Sequence, residues 1–259
     1  MSNRADKRNI NVIIDLVVFG IRVTEIEEID DSKRNPKVRN TKNFDLCVLL
    51  EHSGGGEKWA LPKAILTKDQ NADQVAEELF NSIDADTDNK PIFFRPFSEP
   101  TRLSEDEQAR EVSFSYYGMI EQHHFEQAED GLFRSWFKKH ELTDAGIDKE
   151  SGSGLIIKQV REHTENLKGA ASVTMALELL PDKFFVRDTR HTCLAINGRE
   201  HFFGMYARLL EKGEQGSKSG KKDEDNPLRQ KIRVMEGDPV KPTEGKGRPA
   251  KMYEKVRRK

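Results

Sequence analysis

Apolar and polar residues alternate in two rhythms along the chain, one suited to strands and one to helices. Residues 10–23, INVIIDLVVFGIRV, and residues 44–51, FDLCVLLE, are β-branched or continuous apolar runs that predict buried strands. Between them residues 24–43, TEIEEIDDSKRNPKVRNTKN, are polar and rich in turn formers, which predicts a loop. Residues 59–65 read as a short strand or turn. In residues 71–82, Val75, Leu79 and Phe80 fall near one face with acids opposite, predicting an amphipathic helix. Residues 92–97, IFFRPF, and 111–120, EVSFSYYGMI, predict two more strands, and residues 133–142, with Trp136 and Phe137, a further strand edge. A mixed sheet with a flanking helix accounts for this order.

The second half changes rhythm. After a loop over residues 144–154, DAGIDKESGSG, apolar residues from Ile156 to Leu179 recur at helical spacing and predict one or two helices around Gly169. Pro181 and Asp182 mark a boundary. Residues 185–196 and 199–210 predict two short helices split by Asn197 and Gly198. In the second, Phe202, Met205, Tyr206 and Leu209 form one buried face, leaving His201, Gly204 and Arg208 outward. Residues 211–228 are poor in apolar side chains and read as an insertion. Residues 231–235 and 251–256 predict the two strands of a hairpin whose tip carries the basic EGKGRPAK. Helix, helix, hairpin is the order of a winged helix.

Length and charge sharpen that division. The 259 residues suffice for two modest domains. No apolar run approaches the roughly 20 residues of a membrane-spanning helix, and the polar start MSNRADKRN lacks an export signal, so a cytoplasmic protein is expected. Two cysteines, Cys47 and Cys193, exclude a disulfide framework or Cys-rich zinc site and read as small core residues. The adjacent His123 and His124 point to opposite faces of any strand, an arrangement ill suited to one metal ion. His52 to Glu57, HSGGGE, lacks the Gly-Lys-Ser/Thr ending of a phosphate loop. Beyond residue 182 the chain has 20 Lys and Arg against 11 Asp and Glu, a net of +9 against −11 for the rest. A basic module attached to an acidic one makes nucleic acid a candidate partner; the alternative is a solvated basic tail.

Residues 58–84, KWALPKAILTKDQNADQVAEELFNSID, resemble the Nudix box, the strand-loop-helix of nucleoside-diphosphate-X hydrolases. Its pattern is Gly-x5-Glu-x7-Arg-Glu-φ-x-Glu-Glu-x-Gly, φ being apolar. Trp59, Leu61 and Pro62 match the segment that leads into it. With the first Gly placed at Lys63, the later positions fall on Asp69, Glu77, Glu78, Leu79, Asn81, Ser82 and Asp84, of which Glu78 and Leu79 agree. The paired helical carboxylates of such a box hold divalent cations, and Asn81 and Ser82 cannot supply that charge. Loss of hydrolysis follows as an expectation.

The order of a degenerate box and a basic hairpin resembles one family, the Nudix-related transcriptional regulators of the NrtR type. Glu99 to Arg102, EPTR, and residues 110–120, REVSFSYYGMI, are similar to its Asp-Pro-x-Arg and Arg-x-x-Ser-x-x-Tyr-Tyr-x-φ segments. Residues 178–188, ELLPDKFFVRD, resemble its entry to the DNA-binding domain, and GRPAKMY, residues 247–253, matches its wing. The resemblance implies an α+β fold: a Nudix-like α/β/α sandwich with a mixed sheet over residues 1–150, connecting helices with a dimer contact over 151–180, and a winged helix-turn-helix over 181–259.

It also implies a homodimeric, metabolite-responsive regulator, a repressor tied to NAD metabolism, that binds a double-stranded DNA operator, answers to ADP-ribose or a sugar-type effector and needs no cofactor. Lys63, Glu78, Arg95, Arg102, Arg110 and Tyr117 are then effector-binding candidates. The cations would pair with phosphates and Tyr116 or Tyr117 would stack on a base, against the plainer readings of surface ion pairs and core packing. For DNA the candidates are Arg187, Arg190, Arg199, His201, Arg208, Lys246, Arg248 and Lys251, with Arg248 at the hairpin tip suited to a narrow minor groove. The second helix departs from the family in carrying Gly204, Tyr206 and Ala207 where further cations are usual. Two alternatives stay open: a divergent metal-dependent hydrolase using Asp69, Glu77, Glu78 and Asp84, and a sensor that has lost DNA recognition.

Overall fold

The computed structural model describes residues 9–30, 37–52, 59–83, 91–94, 109–121, 134–148, 151–167, 170–198, 232–234 and 252–255. The chain divides into two compact units: Met1–Gly20, Cys47–Ile120 and Glu126–Glu162 in the first, Ile21–Leu46, Glu121–Phe125 and His163–Lys259 in the second.

The apolar runs form strands because β-branched side chains pack on a pleated surface buried from both sides. β1 (Asn9–Asp30) and β2 (Lys37–His52) are the long ones. They are followed by β3 (Trp59–Ala60), β4 (Lys63–Leu66), helix α1 (Ala72–Asn81), β5 (Ile92–Phe94), β6 (Ala109–Met119) and β7 (Arg134–Lys138). One sheet contains all seven strands in the order β3-β2-β1-β6-β5, with β4 also on β1 and β7 on β2. β1 and β6 are parallel, whereas β4 on β1, β7 on β2 and β5 on β6 are antiparallel, so the expected mixed sheet is present. Its core is made by Ile14, Leu16, Val17, Val18 and Phe19 of β1, Cys47 to Leu50 of β2, Trp136 of β7 and Phe80 of α1, all buried.

The structure corrects the loop expected over residues 24–43. β1 continues to Asp30 and β2 begins at Lys37, with Thr41 Oγ1 donating to the Ile26 carbonyl at 3.3 Å. Thr24, Glu25 and Ile26 are exposed, so this ribbon needs no apolar alternation: ladder hydrogen bonds satisfy the backbone whatever the side chains.

In the second half, α2 (Gly152–Glu165) and α3 (Ala170–Leu179) are the two expected helices. α2 starts inside the expected loop because Ser151 caps it. The Ser151 Oγ accepts from the Gly154 N–H at 3.1 Å, and the Leu155 N–H reaches the Ser151 carbonyl at 2.8 Å. Gly154 is required there, since a Cβ would lie 1.9 Å from the Asp148 carbonyl oxygen. A strand not expected from sequence, β8 (Lys183–Phe185), precedes α4 (Val186–Asn197). Phe185 caps the helix rather than opening it: its N–H donates to Asp188 Oδ2 at 2.9 Å, and Gly198 ends the helix at φ 63°.

β9 (Ile232–Val234) and β10 (Met252–Lys255) pair antiparallel, as the hairpin reading required, and with β8 they form a sheet of order β8-β10-β9. Phe184 and Tyr253 face each other in register and stack, ring centroids 6.1 Å apart. The helix expected over residues 199–210 and the insertion over 211–228 lie outside the described residues, as do His123 and His124.

Candidate functional site

Strand register sorts the side chains around α1 onto two faces. Asp15 lies opposite Lys63 of β4 and Ser115 of β6, and Val17 lies opposite Tyr117. Because side chains alternate, Lys63, Asp15, Ser113, Ser115 and Tyr117 share one face, and Tyr116 and Gly118 belong to the other. α1 packs on that second face. A Cβ on Gly118 would come within 2.4 Å of the Phe80 ring, so this glycine admits the helix.

The start of α1 is fastened to the sheet by polar contacts. Asn71 caps it, its side chain accepting from the Asp73 N–H at 2.9 Å, and Asp73 places a carboxylate at the positive end of the helix. Tyr116 donates its hydroxyl to Asp73 Oδ1 at 2.6 Å. Burial first, then the hydrogen bond and charge of Asp73, hold that phenol well above its ordinary value of 10.0, so it remains a neutral donor. Across the sheet Ser113 donates to Asp15.

The end of α1 has a different chemistry. Its last turn carries no basic residue. Arg134 of β7 supplies one, donating from Nη1 to the Ser82 carbonyl at 2.9 Å and from Nε to Glu51 Oε1 at 2.5 Å, with Nη2 3.5 Å from Ser82 Oγ. Glu51 and Arg134 are cross-strand partners in the β2 and β7 pair, which places the ion pair by register. Ser82 Oγ in turn donates to the Leu79 carbonyl at 2.7 Å. A divalent cation would need several oxygen ligands converging here. The helix offers an amide at Asn81 and a hydroxyl at Ser82, and a guanidinium already bonds the Ser82 carbonyl. Among the described residues no group of three or more His, Cys, Asp and Glu could hold a metal. Among the described residues, Asn81 and Ser82 do not offer the paired carboxylates of a Nudix metal centre.

Of the effector candidates, Lys63 is exposed on β4 and Tyr117 is buried on β6, both on the sheet face away from α1, and burial raises the Tyr117 phenol above its ordinary value. Glu78 is exposed on α1. The fold therefore brings Lys63 and Tyr117 to one face and Glu78 to the other side. Arg110 takes its place in β6 opposite Ile10, and its side chain, like Arg95 and Arg102, lies outside the described residues. Arg134, Glu51 and the Tyr116–Asp73 pair were not anticipated. Their one sequence signal is strand alternation, which puts Arg134 on the same face as buried Trp136.

In the second unit, Arg187 is exposed at the start of α4, 5.4 Å from the Phe185 ring and 3.8 Å from Asp188, and Arg190 is half-buried one turn on. Arg199, His201, Arg208, Lys246, Arg248 and Lys251 lie outside the described residues. α4 is held to α3 by a polar seam in which Asn197 Nδ2 donates to Ser172 Oγ at 2.8 Å. Lys255 of β10 donates to Glu121 Oε2 at 3.2 Å, both side chains nearly buried. Burial lowers the Lys255 ammonium below its ordinary value, outweighing the opposing pull of Glu121, Glu178 and Asp182.

No protein-family profile and no curated protein sequence matches the chain. Solved structures do. NrtR of Shewanella oneidensis aligns with a TM-score of 0.63 at 15% identity, over 95% of this chain and 94% of that one. The same protein in complex with a 27mer DNA aligns with a TM-score of 0.61 at 16% identity, over 95% and 93%. A MutT/nudix family protein of Enterococcus faecalis aligns with a TM-score of 0.54 at 14% identity, over 98% and 90%. The chain thus has the Nudix-like fold of NrtR. Among the described residues no helix is long and apolar enough to cross a membrane.

Proposed function

We propose that the protein is a cytoplasmic, homodimeric transcriptional regulator of the Nudix-related NrtR type. Residues 1–150 form a sensor without hydrolase activity, residues 151–180 connect and contribute the dimer contact, and residues 181–259 form a winged helix-turn-helix. The observation that carries the reading is the β8-β10-β9 sheet with α4: a strand, a capped helix and a paired hairpin, an order that supports a winged helix whose second helix would fall on residues 199–210, outside the described residues. The segment between the hairpin strands carries GRPAK, and the module has a net of +9 beyond residue 182. The structural likeness to a regulator solved with DNA supports the same assignment.

In this reading Arg248 enters a minor groove, Lys246 and Lys251 grip phosphates, and Arg187, Arg190, Arg199, His201 and Arg208 line the helical contact. The effector is ADP-ribose or a related nucleotide or sugar metabolite, recognised with Lys63, Arg95, Arg102, Arg110 and Tyr117, whereas Glu78, carried by α1 on the other side of the sheet, drops out of that set. The fit of Arg134 to the helix end, where a hydrolase needs carboxylates, supports catalytic silence. The reading is tested by binding the full chain to promoter DNA from its own genomic neighbourhood, with and without ADP-ribose, across a salt series. Sequence-preferring binding that the ligand weakens or strengthens is expected. Binding that is steep in salt but blind to sequence would instead identify a basic tail. Incubation with Mg²⁺ or Mn²⁺ and a panel of nucleoside diphosphate derivatives should give no product. Turnover abolished by Glu78→Gln would establish the hydrolase alternative.

A further inference from the structure

We infer that the cation site at the end of α1 is filled by the chain itself, with the Arg134 guanidinium standing where a Nudix box would hold a divalent metal ion. The inference rests on reading residues 63–84 as a box of that kind, and it is independent of the DNA-binding role. The end of any helix concentrates negative partial charge on carbonyls with no partner in the helix. A metal-dependent box adds carboxylates at positions 81 and 82 and so recruits an ion from solution. Here the same helix end meets Arg134, which bonds the Ser82 carbonyl at 2.9 Å while Glu51 holds its Nε at 2.5 Å.

Three observations agree on this assignment. α1 has no cation of its own in its last turn, so the charge comes from another strand. Register fixes Glu51 opposite Arg134, making the guanidinium part of the sheet rather than a wandering surface side chain. The two positions that would carry the missing carboxylates are Asn81 and Ser82, and Ser82 accepts from Arg134. A planar guanidinium suits a carbonyl and a carboxylate side by side, since its donors form a fixed fork. A divalent ion added beside it would face a like charge and find neither carboxylate. Ligands reaching this end of α1 would therefore meet a permanent organic cation, and their binding would be independent of Mg²⁺ or Mn²⁺.

The test uses Mn²⁺ alone as probe, so it stands whether or not an effector or operator has been found. Bound ion is counted by electron paramagnetic resonance on the full chain, with thermal melting alongside. Wild type should bind no Mn²⁺ at this site and melt at the same temperature in EDTA and in millimolar Mn²⁺. The Asn81→Glu, Ser82→Glu double variant, with Arg134 kept, should also bind none. Adding Arg134→Ala should create one Mn²⁺ site per chain and a melting temperature that rises with Mn²⁺. Stoichiometric Mn²⁺ on the wild type or on the double variant would overturn the inference, as would a folded triple variant that binds none. Should the triple variant fail to fold, Arg134→Gln decides: it should melt roughly 3 °C lower in EDTA, and an unchanged melting temperature would show that the guanidinium does not occupy the helix end.

Discussion

Phe80 is buried over Gly118, and the 2.4 Å between a hypothetical Cβ and its ring shows how little room the contact leaves. Gly118→Ala should therefore destabilise the protein by about 1–3 kcal/mol, the usual result of overpacking a tight interior. Urea unfolding checks it. Shortening the ring, as Phe80→Leu in the same chain, should recover part of the loss, because the two changes share one space. Tyr116 makes a second prediction. Its folded phenol titrates above the unfolded value of 10.0. The contribution is thus complete below pH 10 and is lost as the pH rises beyond it toward the folded value. Tyr116→Phe should lose about 1 kcal/mol at neutral pH, with a shallower decline in alkali. Unfolding curves at pH 8 and at about pH 11 compare the two, and an equally steep alkaline decline in the variant would remove Tyr116 from the account.

Among elements, those with an apolar rhythm were legible in the sequence and those defined by pairing were not. α1 announced itself through Val75, Leu79 and Phe80, and the paired hairpin β9 and β10 through its place beyond a polar insertion. The ribbon extension of β1 and β2 was hidden because Thr24, Glu25, Ile26, Lys42 and Asn43 are exposed and show no apolar alternation, and backbone pairing accepts any side chain. β8 was hidden for another reason: three residues cannot display a period, and Lys183–Phe185 is a strand only because Tyr253 and its neighbours lie alongside. The same dependence on distant partners concealed Arg134, and it concealed the Lys255 and Glu121 pair. There burial depresses the ammonium, so the charged lysine is penalised at neutral pH and the penalty eases as pH rises through its folded value toward 10.5. Lys255→Met alone leaves Glu121 nearly buried without its cation and should lose about 3 kcal/mol. Glu121→Leu with Lys255→Met should lie within about 1 kcal/mol of wild type. Denaturant titration of both variants decides it, and a double variant as unstable as the single one would show that the pair contributes net stability.

At the scale of the whole molecule, charge is the feature that length and fold leave unexplained. Opposite nets of +9 and −11 on one chain keep the total near neutral while leaving a basic part that attracts anions. For a DNA partner the two kinds of contact separate by their response to salt. A lysine that only neutralises phosphate releases counterions in proportion to its contacts, so Lys251→Ala should weaken operator and unrelated DNA alike and lower the slope of log K against log salt by about 1. Arg248, if it reads groove width at the hairpin tip, should behave differently. Its replacement by Ala should reduce the preference for the operator by about 1–3 kcal/mol while unrelated DNA is affected less. Fluorescence anisotropy with both duplexes at several salt concentrations measures the two quantities together. Equal losses on both duplexes for Arg248→Ala would assign that residue to phosphate gripping and move the reading of sequence to α4 and the residues beyond it.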